Sequence, residues 1–441
     1  MTAYHLNPQD GKLACMRTAY KCRAYPDPGQ AAVLARTFGC VRVVWNRTLA
    51  TRHARYHAEG KSTSYRESDA ALTVMKKDPD LAFLNEVSSV PLQQTLRHQH
   101  AAFQAFFAKR ARYPRFKSRY GKQSATYART AFRWRAGQLT LAKTGAPLEF
   151  VWSWPDTDPA GLDPTTVTVS REPCGRWYVS FAVETADPEQ LPATGAVVGV
   201  DLGIKDFAVT SDGEKIPNPR HLARRQRALA RYQRRLARCQ KKSANRTKAK
   251  AKVARAHRKV RASRADFLHR ASSRLVRDHD VIVVEDLAVA NMIRRPKPKP
   301  DPKRPGKYLP NGARAKGGLN KSISDVGWGE FRRQLDYKTA KAGRCIIVVD
   351  RWYPSSKTCS SCGYLLGELS LKTRHWTCPA CRTRHDRDLN AAKNICAAGL
   401  AVGAGNGADA CGADVRPQGT PLRRSAAKQE LSGVSPGIPR L

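Results

Sequence analysis

At 441 residues the chain is longer than a single hydrophobic core usually supports, which predicts two or three domains. Its 79 Lys and Arg against 36 Asp and Glu leave a formal charge of +43, a self-repulsion that a polyanion must neutralise, so nucleic acid is the expected partner. No basic amphipathic anchor helix, no apolar run of the ~18 residues a membrane span needs and no export signal in Met1 to Gly11 argue for a cytoplasmic protein without membrane contact.

Residues 17–25 read as a strand ending at Pro26. After Pro28, Leu34, Phe38, Val41, Trp45 and Leu49 recur at spacings of three and four and line one helix face, and a second helix follows Pro91 with Leu92, Leu96, Phe103, Phe106 and Phe107 inward. Val167, Val169, Trp177, Val179, Phe181 and Val183 alternate with mostly polar neighbours around a Glu172–Gly175 turn, the pattern of a hairpin. The first 190 residues are therefore mixed β and α, with a boundary near Pro192 to Gly195. Residues 196–219 read as a buried strand, a tight turn at Gly203 and a second strand. Between Arg220 and Arg277 there are 22 Lys or Arg and one acid, Asp266, while Leu222, Leu229 and Leu236, then Val253, Val260 and Phe267, repeat every seven residues. This predicts a basic helical hairpin bent near Ser243 to Asn245, too lopsided in charge to satisfy itself with i,i+4 pairs and suited to phosphates. VIVVEDLAV (281–289) and RCIIVVDRW (344–352) are β-branched runs fit for buried strands. Between them, 294–318 is dense in Pro, Lys and Gly and predicts a mobile basic loop. The tail from 397 to 441 lacks periodicity and predicts disorder.

Two features carry chemistry. Cys359, Cys362, Cys378 and Cys381 form C-x2-C, fifteen residues, C-x2-C, the spacing of two knuckles that enclose one structural Zn2+ in four thiolates with no open position. A redox pair or an iron–sulfur cluster is the alternative, and His375 and His385 nearby read as ordinary surface histidines. The second feature is a set of acids. Asp201 ends the apolar strand AVVGV beside Gly203, where it fits either a metal-binding carboxylate or a turn-forming Asp. Glu285 ends VIVV, as a metal ligand or in a capping or edge role. Asp388, with Asp386 as its competitor, opens a helix whose apolar face is Leu389, Ala392 and Ile395. Carboxylates on two strand ends and one helix start would hold two Mg2+ roughly 4 Å apart for phosphodiester hydrolysis.

GVDLGIKDFAV, VVEDLAV, the SSKTCSSCG to CPAC ribbon and HDRDLNAAKNI together resemble the transposon-encoded TnpB (OrfB) proteins, relatives of the compact type V CRISPR effectors; YPDPGQ to CVRVVWN, YPRFKS and SDVGWGEFRRQLDYK extend the likeness to residues 15–398. The resemblance implies an α/β and α+β multidomain chain. A wedge β-barrel at 1–190 would carry a helical recognition insertion at about 28–112. An RNase H-like RuvC nuclease domain at 195–396 would contain the basic hairpin 220–277 and the zinc ribbon 355–385. It also implies an activity, RNA-guided DNA cleavage, with a guide RNA from the transposon end pairing with double-stranded target DNA and one metal-dependent site cutting both strands. The family's catalytic acids fall on Asp201, Glu285 and Asp388. A zinc-ribbon regulator that binds nucleic acid without cutting, and a transposase that transfers strands itself, are the competing readings. A pure binder has no need of these acids, and the chain lacks a paired-histidine motif with a downstream tyrosine nucleophile. Cys381 lies seven residues before Asp388, so the ribbon is expected to aim that acid.

Overall fold

The computed structural model of the protein describes residues 16–185 and 190–405. The chain packs as two compact units. One takes the segments up to Pro192, Pro219–Arg277 and Ser324–Gly343; the other takes Ala193–Asn218, Asp278–Ile323 and the segment from Arg344 onward. Elements are numbered in chain order.

The first unit opens with β1 (Met16–Ala24) and α1 (Pro28–Glu59). Asp27 caps α1: its carboxylate accepts from the Gln30 amide at 2.8 Å, the Gln30 side chain accepts from the Asp27 amide at 3.2 Å, and Pro28 supplies a preset φ. Gly60, at φ 67°, ends the helix in the left-handed region. The predicted stripe Leu34, Phe38, Val41, Trp45 and Leu49 is buried throughout, each side chain contributing about 1.5–3 kcal/mol of apolar transfer. α2 (Tyr65–Lys77), with its own Ser64/Glu67 capping box, and α3 (Ser89–Phe107) complete this helical group. Phe103, Phe106 and Phe107, expected inward, lie at the lower end of α3 where Phe107 is exposed and Phe103 and Phe106 pack edge-on against Tyr113. β2 (Gln123–Ala128), the hairpin β3 (Phe132–Arg135) and β4 (Gln138–Leu141), β5 (Phe150–Val151), β6 (Pro164–Arg171) and β7 (Trp177–Thr185) follow. The antiparallel sheet runs β2-β6-β7-β1-β5, and its inward Val167, Val169, Val179 and Phe181 are fully buried. The Glu172–Gly175 turn joins β6 to β7 as predicted, with Gly175 at φ 87°.

The basic hairpin and one later helix belong to this unit. α4 (His221–Arg238) and α5 (Ala244–Asp278) are separated by a break that ends at Ser243, whose hydroxyl accepts from the Arg246 amide. Of the heptad residues, Leu229 and Val260 are buried and the others half-buried. α8 (Trp328–Ala342) buries Trp328, Phe331 and Leu335. The carboxylate of Asp325 accepts from the Leu222 amide that opens α4 and from Arg264 on α5, tying the hairpin to the turn before α8.

The second unit is built on a mixed five-stranded sheet, order β10-β9-β8-β11-β14. β8 (Val197–Leu202), β11 (Val281–Glu285) and β14 (Cys345–Val349) are parallel, and β9 (Asp206–Thr210) and β10 (Lys215–Pro217) continue the sheet antiparallel beyond β8. Parallel strands are covered on both faces, which is why these segments read as unbroken β-branched runs. α6 (Val289–Met292) is a single turn after β11. The basic stretch 294–318, expected to be a mobile loop, departs from that reading. It forms a hairpin, β12 (Lys299–Pro300) with β13 (Tyr308–Leu309), and leads into α7 (Ala313–Val326). Its turn is fixed by the Asp301 side chain, which accepts from the Lys303 amide, and by Gly306 at φ 79°. β15 (His375–Thr377) and β16 (Arg384–Asp386) pair within the cysteine segment, and α9 (Arg387–Gly405) follows directly. Residues 397–405, expected to begin the disordered tail, are helical because Gly399 and its neighbours continue the face that packs on β11; residues 406–441 lie outside the described residues. No described helix is long and apolar enough to cross a membrane.

Candidate active site and cysteine cluster

Strand alternation and one glycine explain how the three acids come together. A Cβ on Gly199 would collide with the Ala392 carbonyl and stand 2.6 Å from the Cys396 amide, so the bare strand lets the α9 backbone lie directly on β8. Asp201, two residues on, faces the same side. Asp388 lies one helical turn before Ala392 and so reaches the same end of the sheet. Likewise Gly399 abuts Val283, whose own strand carries Glu285 on the same face two residues later. Parallel pairing of Val284 with Val200 sets Glu285 beside Asp201.

The electrostatics report the same convergence. Burial pushes the Asp201 carboxyl up to about 8, with Glu285, Asp388 and Asp386 adding repulsion and Arg387 opposing it. Glu285 is also raised by burial, against the Ser355 hydroxyl that donates to it at 2.6 Å. Half-buried carboxylates near enough to raise Asp201, offering hard oxygen donors, are the donor set a divalent cation would neutralise. Asp386, the competitor of Asp388, is otherwise engaged. One oxygen caps α9, accepting from the amides of Asp388 at 3.0 Å and Leu389 at 3.2 Å, and the other accepts from Lys215 at 2.6 Å. Burial would raise this carboxyl, but Lys215 and the two amides hold it below its ordinary range. Asp388 is thereby presented at the positive end of the helix, 3.6 Å from Arg374.

The cysteines form a near-symmetric pair of knuckles. The Gly363 amide donates to the Cys359 carbonyl and the Arg382 amide to the Cys378 carbonyl, both at 2.9 Å, and both of these residues take positive φ, 78° and 58°. Cys359 to Cys381 is 3.6 Å between sulfurs and Cys362 to Cys378 is 3.7 Å, close to the ~3.8 Å edge of a tetrahedron with metal–sulfur bonds of ~2.3 Å. All four ligand atoms lie within 4.8 Å of one another, so the quartet could hold a metal ion; among the described residues it is the one such cluster, and the three carboxylates do not close into another. His375 is exposed, as expected, but His385 is not the surface residue its sequence context suggests. It is buried, packed at a tilt against Trp376, with Nε2 3.0 Å from the Cys359 sulfur, placed to support that thiolate.

Two further residues tie the ribbon to α9 and are not singled out by spacing alone. The Asn394 side chain donates to the carbonyls of Ser355 at 2.7 Å and Thr358 at 2.6 Å, and Asn390 donates to Thr358 at 2.7 Å while accepting from the Ser360 amide. Asn390 and Asn394 sit one turn apart on α9, the helix of Asp388. The same helix therefore holds the segment from which Ser355 reaches Glu285. Polar residues at i and i+4 on an otherwise apolar helix face were the available signal.

Three family models match the chain. One described as "Probable transposase", OrfB of the IS605 type, covers residues 180–295; one for a Cas12f1-like TNB domain covers 328–395; one described as a helix-turn-helix domain covers 16–61, which folds here as β1 and the single helix α1. A Streptomyces pristinaespiralis protein named "Putative RNA-guided DNA endonuclease" is 50% identical over 97% of this chain and 99% of its own length. The Escherichia coli K12 protein "Putative RNA-guided DNA endonuclease InsQ" is 33% identical over 92% of this chain and 96% of its own. Among solved structures, the chain from a Cas12f1–sgRNA–target DNA complex aligns with 86% of this chain and 98% of its own at 12% identity and a TM-score of 0.49. With half its residues shared along almost the whole of both chains, this protein belongs to the TnpB (OrfB) family of transposon-encoded proteins.

Proposed function

We propose that the protein is a transposon-encoded, RNA-guided and Mg2+-dependent DNA endonuclease that cuts target DNA at a single RuvC-like site. The observation that carries this reading is the nearness of Asp201 on β8 to Glu285 on β11 and to Asp388 at the start of α9, in a chain whose full-length relatives are named "Putative RNA-guided DNA endonuclease". Mg2+ held there would activate water and stabilise the departing 3′ oxygen. The protein's own part is to fix those oxygens: Gly199 admits α9, Asp386 caps it, and Ser355 orients Glu285. The mixed sheet β10-β9-β8-β11-β14 supports an RNase H-like nuclease domain within 195–396, although the hairpin 220–277 expected inside that domain clusters with the first unit, and the antiparallel sheet with β3 and β4 supports a wedge β-barrel within 1–190 with α1 to α3 as the recognition insertion. Zn2+ in the Cys359, Cys362, Cys378 and Cys381 shell is structural in this reading. Guide pairing supplies sequence specificity, while the basic surfaces of α4 and α5 grip phosphates, in the cytoplasm close to the nucleoid.

Purifying the protein with co-expressed transposon-end RNA, sequencing that RNA and supplying a randomised target library with Mg2+ tests the proposal. Guide-dependent cutting that is lost in Asp201→Ala, Glu285→Ala and Asp388→Ala, with target binding retained, is the expected result. Bound RNA without cutting would favour a nuclease-independent nucleic-acid-binding regulator instead.

A further inference from the structure

The loop between β14 and the first cysteine knuckle is pinned at both ends to Glu285. At its start, Val349 is the strand partner of Glu285, and its carbonyl accepts from the Asp286 amide at 3.0 Å. At its end, the Ser355 hydroxyl donates to the Glu285 carboxylate. Between these anchors the backbone is closely determined. The Asp350 side chain accepts from the Trp352 amide at 2.7 Å, the Tyr353 amide donates to the Asp350 carbonyl, and the Ser355 amide donates to the Tyr353 carbonyl. Arg351 is ion-paired with Asp286, and Tyr353 packs into the apolar cluster of Val283, Ile347, Val349 and Ile395. At the apex stands Trp352, 84% exposed. It is three positions along the chain from either anchor, two residues intervening on each side, so a fully extended chain of ~3.5 Å per residue keeps its backbone within roughly 10 Å of the Glu285 attachment points.

An indole so exposed contributes almost nothing to the stability of its own unit, and a rigid loop spends order on holding it there. We infer that Trp352 is a base-stacking platform, taking an unpaired base of the DNA strand beside the carboxylates and holding the scissile phosphate in register. Aromatic faces bind unpaired bases without regard to sequence, which suits a nuclease whose specificity is supplied by pairing elsewhere. The inference rests on the nuclease reading for its choice of DNA as the strand bound.

Two readouts test it in the guide-RNA complex. The first is Mg2+-dependent cleavage by wild type, Trp352→Ala and Trp352→Phe. The second, in EDTA, is fluorescence of single 2-aminopurines scanned along the displaced and target strands, which stacking on an aromatic ring quenches. Expected are a roughly ten- to hundredfold loss of kcat/KM in Trp352→Ala, recovery of most of it in Trp352→Phe, and loss of quenching at one or two positions with overall target binding unchanged. Trp352→Ala cleaving at the wild-type rate, or quenching that ignores Trp352, overturns the inference. Trp352-dependent quenching confined to RNA overturns the assignment to DNA. Should the wild-type complex never cleave yet show Trp352-dependent quenching of DNA, stacking stands and the nuclease reading falls.

Discussion

Replacing Gly199 by Ala perturbs the proposed centre without touching any acid. The added Cβ would lie 2.6 Å from the Cys396 amide and 2.7 Å from the Cys396 Cβ, with the Ala392 carbonyl closer still. Carbon contacts relax at about 3.5–4.0 Å, so α9 must retreat by roughly 1 Å, and its backbone cannot yield as a side chain would. Overpacking of this kind costs about 1–3 kcal/mol, visible as a melting temperature lowered by several degrees. Asp388 sits one turn from the collision and travels with the helix, and a misplacement of ~1 Å in a reacting constellation costs about a hundredfold in rate. The assay is guide-dependent cleavage of a plasmid target at 25 °C, where the variant remains folded by circular dichroism, with Gly399→Ala as comparison. A Cβ at Gly399 meets the methyl groups of Val283, one at 2.8 Å, farther along α9 from Asp388, so that variant should lose stability with a smaller loss of cleavage. Gly199→Ala cleaving within threefold of wild type, or Gly399→Ala proving the more damaging, would refute the argument that this glycine sets the carboxylate geometry.

Ser355→Ala removes the hydrogen bond that holds Glu285 down, so its carboxyl should rise further and the acid limb of the cleavage pH profile at limiting Mg2+ should move to higher pH; an unmoved limb would leave Ser355 a packing residue. Because the folded protein raises Asp201 from its ordinary range near 4 to about 8, metal-free protein favours the protonated acid, and its stability should fall as pH rises from about 4 to about 8. Thermal melts in EDTA should show that decline, Mg2+ should reverse it at pH 8, and Asp201→Asn should flatten it. Cys378→Ser should lose one equivalent of zinc by elemental analysis and most of the cleavage, without rescue by excess Mg2+, since the ribbon is bound to α9 through Asn390 and Asn394; rescue would show that the metal site is independent of the ribbon. Charge-neutralising pairs of exposed Lys and Arg on α4 and α5 should reduce the salt dependence of target binding by about one unit of log–log slope per lost phosphate contact.

What was legible in the sequence followed from periodicity. The α1 stripe, the β6–β7 alternation, the β-branched runs of β8, β11 and β14 and the cysteine spacing each carry their answer in a few residues, because burial acts on one face at a fixed repeat. The basic stretch 294–318 departs from its sequence pattern because Pro and Gly mark a tight hairpin as readily as a mobile loop, and the deciding contact, Asp301 with the Lys303 amide, is a turn made by one side chain. His385 departs from its sequence context for a related reason. Its burial depends on Trp376, nine residues away but directly opposite it across β15 and β16, which only strand register reveals.

The acids show the same limit more sharply. Each could be placed at an element's end from local pattern, yet Asp386 and Asp388 are equivalent on that evidence. They are distinguished by Lys215, which arrives from β10, 171 residues earlier, and by two helix amides, which together occupy the oxygens of Asp386, whereas Asp388 makes a looser ion pair with Arg374 at 3.6 Å and lies close enough to Asp201 to help raise its carboxyl. Gly199 is the converse case: its importance is the absence of a side chain, and that absence acquires meaning only when the backbone of α9 is found against it. The proposed carboxylate centre, drawn from a strand, its parallel neighbour and a helix far along the chain, would therefore be set less by its acids, which local pattern can name, than by the small and polar residues that let those three elements touch.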